Sequence, residues 1–243
     1  MSSTAATADE LARLQRDGFF TREGFLGADE LEQLERICDR AIAYHNGYPP
    51  HLDDMYKAIS VRDGITFANE FGDDSDVAPM LKAFAMQQKI VDLARSVAGP
   101  RAAHHCYQVV YKHPHYDRPF PWHQDTSHTP CEPRFYNVWM AISDMTVANG
   151  CLWMLPSVAL DRVLDYEETP YGFTCWPLDV SDQGVPIELK RGSIVVNTSW
   201  TLHKSGGNTT DMVRKAMLVA FVDERALMRG QPVRVTRYPE LAA

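Results

Sequence analysis

Apolar residues recur at helical spacing in about the first 100 residues of the chain. Residues 7–10 (TADE) have the form of a capping box and predict the start of a short helix, which Gly18 ends. The spacing predicts a second helix at about 28–44 and a third at about 77–97, which stops at Gly99. The N-terminal part is therefore predicted to be mainly helical.

From about residue 102 the pattern changes to short runs rich in valine, isoleucine and aromatic residues, as is typical of half-buried strands. Helices followed by strands predict an α+β fold, a β-sandwich or jelly roll with the N-terminal helices packed on one sheet. We expect one domain over 1–243, with a helical part at about 1–100 and a jelly-roll core at about 101–243. The clearest runs are HHCYQVVYK, FYNVWMAIS, CLWMLP, IELK, GSIVVNTSW and KAMLVAFV.

The segment 161–186 interrupts these runs, because it is irregular and contains several aromatic residues. Loops of this length are usually either active-site lids or disordered insertions. The aromatic content favours a packed lid.

Composition narrows the class of protein. The chain has 243 residues, of which 45% are hydrophobic and 23% charged, and its net charge is −8. Without a basic stripe, nucleic acid and anionic membranes are poor candidate partners. Five scattered cysteines without a CxxC pair argue against a disulfide framework. We find neither a signal-peptide pattern nor an apolar run long enough to span a membrane, so we expect a cytoplasmic protein. We also expect it to be a monomer or a homodimer.

The strongest local candidate for chemistry is the sequence WHQD at residues 122–125. In an extended strand, His123 and Asp125 point to the same side, so one imidazole and one carboxylate can meet at a common point. His203, which follows the run GSIVVNTSW, is the candidate third ligand. Two histidines and one carboxylate leave three metal positions open, which is the arrangement of non-haem Fe(II) oxygenases.

Arg214 is the candidate group for binding a carboxylate of 2-oxoglutarate, the co-substrate of many such oxygenases. It lies eleven positions after His203, and a hairpin would place its strand beside the strand that ends there. A guanidinium can bind a carboxylate through two parallel hydrogen bonds, which a lysine cannot do. Arg214 then shares a strand face with small or aliphatic neighbours, Ala216, Leu218 and Ala220.

Each of these residues also has an ordinary interpretation when taken alone. An H-x-D tripeptide often arises by chance, a histidine is more commonly hydrogen-bonded than metal-bound, and a surface arginine commonly forms an ion pair. The order, the spacing and the strand context together favour the metal site.

The chain resembles the phytanoyl-CoA dioxygenase family of Fe(II)/2-oxoglutarate oxygenases over nearly its whole length. The matching stretches are YKHPHYDRPFPWHQD, VWMAISDMTVANGCLWMLP and LKRGSIVVNTSWTLHKSGGNTTDMVRKAMLVAFV. The resemblance implies a double-stranded β-helix with flanking helices, Fe(II) as the metal, and 2-oxoglutarate and O2 as co-substrates. It implies His123, Asp125 and His203 as iron ligands and Arg214 as the partner of the 2-oxoglutarate carboxylate. Two further co-substrate contacts are implied at Ser205 and Trp139.

The chain departs from the family pattern at two places. Leu155-Pro156 is followed by Ser-Val-Ala, where the family commonly has Gly-Ser-His. The lysine that acyl-CoA enzymes of the family use has no secure match, although Lys57 is nearby. Both departures concern the substrate rather than the iron. Asp125 is present, so the carboxylate-for-halide exchange of related halogenases is not supported.

The leading hypothesis is an oxygenase that hydroxylates a C–H bond of a small molecule, with 2-oxoglutarate converted to succinate and CO2. A specialised metabolite is favoured over an acyl-type primary metabolite, and desaturation, epoxidation and cyclisation remain alternatives. A cupin-like metal-binding protein without oxygenase activity is the alternative from another class. The candidate substrate contacts are His128, Trp122, Trp153 and Trp176.

Overall fold

The helices of the protein precede most of its strands. The first helix begins at Thr7, whose side chain accepts a hydrogen bond from the Glu10 amide while the Glu10 carboxylate accepts one from the Thr7 amide. Gly18 ends it with φ of +89°, a left-handed conformation that glycine adopts without a Cβ clash. The predicted capping box is therefore confirmed. The helices in the described part of the chain are α1 (Ala8–Asp17), α2 (Ala28–Asn46), α3 (Ala78–Ala85), α4 (Gln88–Ala98) and the short α5 (Asp125–His128).

The computed structural model of the chain leaves part of the sequence outside the description. Two residues discussed above, Lys57 and Trp176, lie in this part. The described residues are 4–46, 61–62, 65–70, 74–158, 160–169, 172–175 and 184–239.

The single helix predicted for 77–97 was wrong, because α3 and α4 are separate helices. Gln87 has an extended backbone (φ −63°, ψ 144°) and is the N-cap of α4. Leu81 and Phe84 of α3 and Ile90 of α4 are all buried in the same cluster. The break allows the apolar faces of both helices to contact one sheet.

Two antiparallel sheets form the core of the fold. The large sheet has the strand order β1-β12-β7-β14-β4-β3-β2, with β17 paired to β4, and the small sheet has the order β11-β8-β13-β5. A hairpin, β9-β10, and a three-stranded sheet, β16-β15-β6, complete the described strands. The strands are β1 (Phe19–Arg22), β2 (Val61–Arg62), β3 (Ile65–Asn69), β4 (Ala102–Lys112), β5 (Phe120–His123), β6 (Cys131–Glu132), β7 (Tyr136–Ala141), β8 (Leu152–Met154), β9 (Tyr166–Thr169), β10 (Gly172–Cys175), β11 (Val185–Ile187), β12 (Ile194–Thr198), β13 (His203–Ser205), β14 (Arg214–Asp223), β15 (Leu227–Met228), β16 (Gln231–Pro232) and β17 (Thr236–Arg237).

The alternation of side chains along β14 shows how the layers are built. Val219 and Phe221 pack with the helices on one face of the large sheet. Leu218 and Ala220 pack on the other face, between the two sheets. Helices on one face and a second sheet on the other form the jelly roll that the strand pattern predicted. The interior between the sheets is the space into which functional side chains can point.

The hairpin predicted between His203 and Arg214 was wrong. His203 begins β13 of the small sheet, which pairs with β5 and β8. Arg214 begins β14 of the large sheet, which pairs with β4 and β7. Residues 206–213 therefore cross from one sheet to the other, and the two side chains approach the interior from opposite layers.

The described part of the segment 161–186 contains the hairpin of β9 and β10. This hairpin packs against β5, which ends at the candidate ligand His123. Its role as a lid stays a prediction. In the described part of the chain, no helix is long and apolar enough to span a membrane.

Candidate metal centre and anion pocket

Sheet register brings the two candidate histidine ligands together. His123 is the last residue of β5 and His203 the first of β13, and they face each other as partners of an antiparallel pair. Their ring centroids are 4.1 Å apart. A pairing across the small sheet thus joins residues that are distant in the chain.

Asp125 completes a three-residue cluster, although its backbone differs from the predicted continuous strand. The strand ends at His123, Gln124 is extended, and Asp125 begins α5. Asp125 Oδ1 lies 3.7 Å from His123 Nε2 and 3.8 Å from His203 Nε2. The candidate ligand atoms all lie within 4.8 Å of one another, so these residues could hold one metal ion.

Backbone carbonyls orient both imidazoles. His123 Nδ1 lies 2.8 Å from the carbonyl of Pro121, and His203 Nδ1 lies 2.9 Å from that of Thr201. Each contact places a proton on Nδ1 and leaves the Nε2 lone pair for a metal. Burial and, after it, the neighbouring His203 lower the pKa of His123 well below its ordinary value, which favours the neutral form that binds metals.

Asn137 holds the carboxylate of Asp125, a contact that the sequence analysis missed. Its Nδ2 donates to Asp125 Oδ2 at 2.7 Å, while Asp125 Oδ1 faces the imidazoles. Asn137 lies on β7 and is almost fully buried. The available signal was a polar residue inside the apolar run FYNVWMAIS.

Gln124, between two candidate ligands, anchors the chain that leads into the β9-β10 hairpin. Its Oε1 accepts from the amide of Leu164 at 2.8 Å, and its Nε2 donates to the carbonyls of Arg162 at 3.2 Å and Trp200 at 2.7 Å. At the other end of the hairpin, the backbone amide of Gln124 donates to Cys175 Sγ at 3.3 Å. The β9-β10 hairpin and the segment that carries the candidate ligands are therefore joined at one residue.

A buried guanidinium lies between the sheets at Arg214, which is only 1% exposed. Among the residues that the structure describes, its Nε and one terminal nitrogen have no hydrogen-bond partner. Burial lowers the pKa of Arg214 to about 10, so the group is still charged at neutral pH. The indole Nε1 of Trp139 is a further buried donor for which the described part of the chain provides no partner. Trp139 faces the same interior, opposite Leu218 of β14. Unpartnered buried donors of this kind match the chemistry of a carboxylate.

The remaining predicted contacts have different environments. Ser205 is buried at the end of β13. His128 stacks on Phe173 of β10, with ring centroids 4.9 Å apart, and the Phe173 ring is 5.0 Å from that of His123. His128 is therefore close to the cluster, and its role as a substrate contact stays a prediction.

The indoles of Trp122 and Trp153 lie on the other face of the small sheet. Adjacent residues of a strand point to opposite sides, so Trp122 points away from its neighbour His123. Both rings pack beside the ammonium of Lys204, at 4.9 and 5.3 Å from the ring centroids. This position gives no support to their predicted substrate contacts.

Comparison with known proteins identifies the family. The family model of phytanoyl-CoA dioxygenase (PhyH) matches residues 14–216. The chain belongs to the phytanoyl-CoA dioxygenase family. A relative in this family is the phytanoyl-CoA dioxygenase domain-containing protein 1 of Bos taurus, with 27% identity over 85% of this chain and 87% of the relative.

Solved structures share the fold of this phytanoyl-CoA dioxygenase family member. The epimerase SnoN, in complex with Fe3+, alpha ketoglutarate and nogalamycin RO, has a TM-score of 0.73 and 22% identity, over 93% of this chain and 86% of that one. EvdO2 from Micromonospora carbonacea var. aurantiaca, complexed with 2-oxoglutarate, has a TM-score of 0.70 and 18% identity, over 94% and 95%.

Family membership makes this chain an Fe(II)/2-oxoglutarate-dependent dioxygenase. Iron is its metal and 2-oxoglutarate its co-substrate. The residues of the site fit both groups, because one histidine–aspartate–histidine cluster can bind the metal and the unpartnered donors of Arg214 can receive a carboxylate.

Proposed function

We propose that His123, Asp125 and His203 bind Fe(II) and that Arg214 binds the distal carboxylate of 2-oxoglutarate. The observation that carries the second part is the unpartnered, buried guanidinium of Arg214. Among the described residues, no carboxylate oxygen lies within 4.0 Å of it. An isolated buried charge costs several kcal/mol, on the order of the stability of a small domain, unless a ligand compensates it.

Trp139 and Ser205 are proposed as further contacts of the co-substrate. The indole Nε1 of Trp139 is a buried donor with no partner in the described ranges of the chain, and it faces the interior that Arg214 enters. Ser205 lies two residues after His203, on the strand that carries this ligand. Trp139 and Ser205 would then contact a 2-oxoglutarate molecule that is bound between the metal and Arg214.

Bound iron and 2-oxoglutarate supply the oxidising chemistry, in which 2-oxoglutarate and O2 give succinate and CO2 while the substrate is oxidised. The protein's own groups orient the ligands and exclude water. Pro121, Thr201 and Asn137 fix the three ligand side chains. Phe173 and His128 form an aromatic wall beside His123, which suits an apolar part of a substrate.

The substrate is proposed to be a small molecule of specialised metabolism, and the reaction to be hydroxylation of a C–H bond. Support for the substrate class comes from SnoN, which is described as an epimerase from nogalamycin biosynthesis. The same neighbour favours a second candidate reaction, epimerisation, which leaves the oxidation state of the substrate unchanged and would therefore need a separate hydrogen-atom donor and a reductant.

The test measures succinate formed from 2-oxoglutarate in the presence of Fe(II) and air. Arg214→Ala should raise the KM for 2-oxoglutarate at least about 30-fold, because truncating a buried charge-assisted contact costs about 2–5 kcal/mol. Asp125→Ala should abolish succinate formation and weaken Fe(II) binding. The matched control is Arg101→Ala, which removes a half-exposed arginine paired with Asp223 and should leave the KM unchanged. An unchanged KM in Arg214→Ala would place the carboxylate elsewhere.

A further inference from the structure

A second buried cation, Lys112, lies beside the proposed carboxylate site. Lys112 ends β4 and is the register partner of Arg214 on β14, and both side chains are 1% exposed. Partners in a sheet project to the same face, so both cations enter the interior between the sheets. Within the described residues, the Lys112 ammonium also has no carboxylate oxygen within 4.0 Å.

Lys112 also holds the turn that follows β13. Its Nζ donates to the carbonyl of Gly206, and its own carbonyl accepts from Asn208 Nδ2 at 3.1 Å. The turn is closely packed, because a Cβ added at Gly150 would lie 2.6 Å from the Gly206 carbonyl oxygen. The residue before Gly206 is Ser205, a proposed co-substrate contact. Lys112 therefore joins the end of β4 to the turn after β13, and it does so opposite Arg214 in the large sheet.

The charge of Lys112 is not needed for this turn, because a neutral amide could donate the same hydrogen bond. Burial first, and the charge of Arg214 second, lower the pKa of Lys112 well below its ordinary value, while Cys151 acts in the opposite direction. The groups around the amine are therefore Arg214 from β14, Cys151 before β8 and the Gly206 carbonyl of the turn. An anion bound between the sheets would offset the repulsion between the two groups and favour the charged form of the Lys112 amine.

We propose that Lys112 is a positioning residue for the co-substrate. The lysine adds its positive charge to that of Arg214 and holds the turn that follows Ser205. This inference rests on the function proposed above. The two cations together would favour a dianionic 2-oxoacid over a monoanionic one, because the second carboxylate is the group that they attract. A purely structural lysine would have no such effect on the choice of ligand.

Three variants separate the charge of Lys112 from its hydrogen bond. Lys112→Gln keeps a donor for Gly206 and removes the charge, Lys112→Met removes both, and Lys112→Arg keeps the charge. Calorimetric titration of the Fe(II)-loaded protein without O2 would measure the Kd for 2-oxoglutarate and for 2-oxopentanoate, which lacks the distal carboxylate. We expect Lys112→Gln to weaken 2-oxoglutarate binding about tenfold or more.

The same variants should leave the weak binding of 2-oxopentanoate nearly unchanged, and Lys112→Arg should recover part of the lost affinity. In turnover, the loss should fall on the KM for 2-oxoglutarate rather than on kcat. Wild-type affinity in Lys112→Gln would overturn the proposal and leave Lys112 as a structural brace.

The wild-type protein gives a measurement that does not depend on folded variants. The distal carboxylate favours the charged amine, so binding of 2-oxoglutarate should not release protons from the protein, which calorimetry in buffers of different ionisation enthalpy measures. Net proton release on binding would overturn the proposal. Failure of the proposed function would look different: the wild type would not bind 2-oxoglutarate, or Arg214→Ala would bind it as tightly as the wild type.

Discussion

The hydrogen bond from Asn137 to Asp125 provides a quantitative test of the metal centre, because Asn137→Ala removes it without touching a candidate ligand. A hydrogen bond to a charged group contributes about 1.5–3 kcal/mol. The Asp125 side chain is 25% exposed, so water can replace part of the lost bond. We therefore expect the lower half of this range, which corresponds to Fe(II) binding that is about 10- to 40-fold weaker.

The assay is the Fe(II) dissociation constant without O2, measured by competition with a chelator, and independently the rise in unfolding temperature on metal addition. The matched control is Asn197→Ala. Asn197 is the register partner of Asn137 on β12, is equally buried, and donates to the Thr198 carbonyl rather than to Asp125. Wild-type affinity in Asn137→Ala, or an equal loss in both variants, would refute the reasoning, since the effect would then not depend on the carboxylate.

Two further predictions concern the pH dependence of the unfolding free energy and the anchoring of the β9-β10 hairpin by Gln124. Burial alone would raise the pKa of Glu70, but hydrogen bonds and charges of His104 and Lys82 outweigh it and lower the pKa below 4.5. The wild type should therefore be more stable than Glu70→Gln above about pH 4.5, and this difference in unfolding free energy should be lost as the pH falls through the lowered pKa. Denaturant unfolding of both proteins near pH 7 and pH 3.5 measures the difference. A difference that does not depend on pH would contradict the prediction. Gln124→Leu leaves the Leu164 amide without its acceptor, at a cost of about 1–3 kcal/mol, so hydrogen exchange in residues 160–169 and 172–175 should accelerate. Unchanged exchange there would contradict the anchoring role.

Local signals predicted much of the fold. The capping box of α1 depends on residues three positions apart, and the alternation along β14 depends on residues two apart, so both can be recognised without long-range information. The helix break at Gln87 could not be recognised in this way. It reflects the packing of two helices on one sheet, and the residues on both sides have good helical spacing.

The pairing of distant strands could not be predicted from chain distance. Arg214 follows His203 closely enough for a hairpin, yet their strands belong to different sheets of the jelly roll. The proposed partnership of the two residues survives this correction. Side chains from opposite layers can meet across the interior, whereas a hairpin would have placed them on one surface.

Asn137 and Lys112, which the sequence analysis did not single out, make contacts that only the sheet register creates. Asn137 reaches Asp125 from β7, and Lys112 reaches Gly206 across the interior. By contrast, the position of Trp122 was predictable. Adjacent residues of a strand point to opposite faces, so the position of His123 on β5 already places the Trp122 side chain on the other face, and its substrate contact stays a prediction. Strand alternation therefore indicates which side chains face away from a site as well as which face it, because both inferences need only the positions of residues along a single strand.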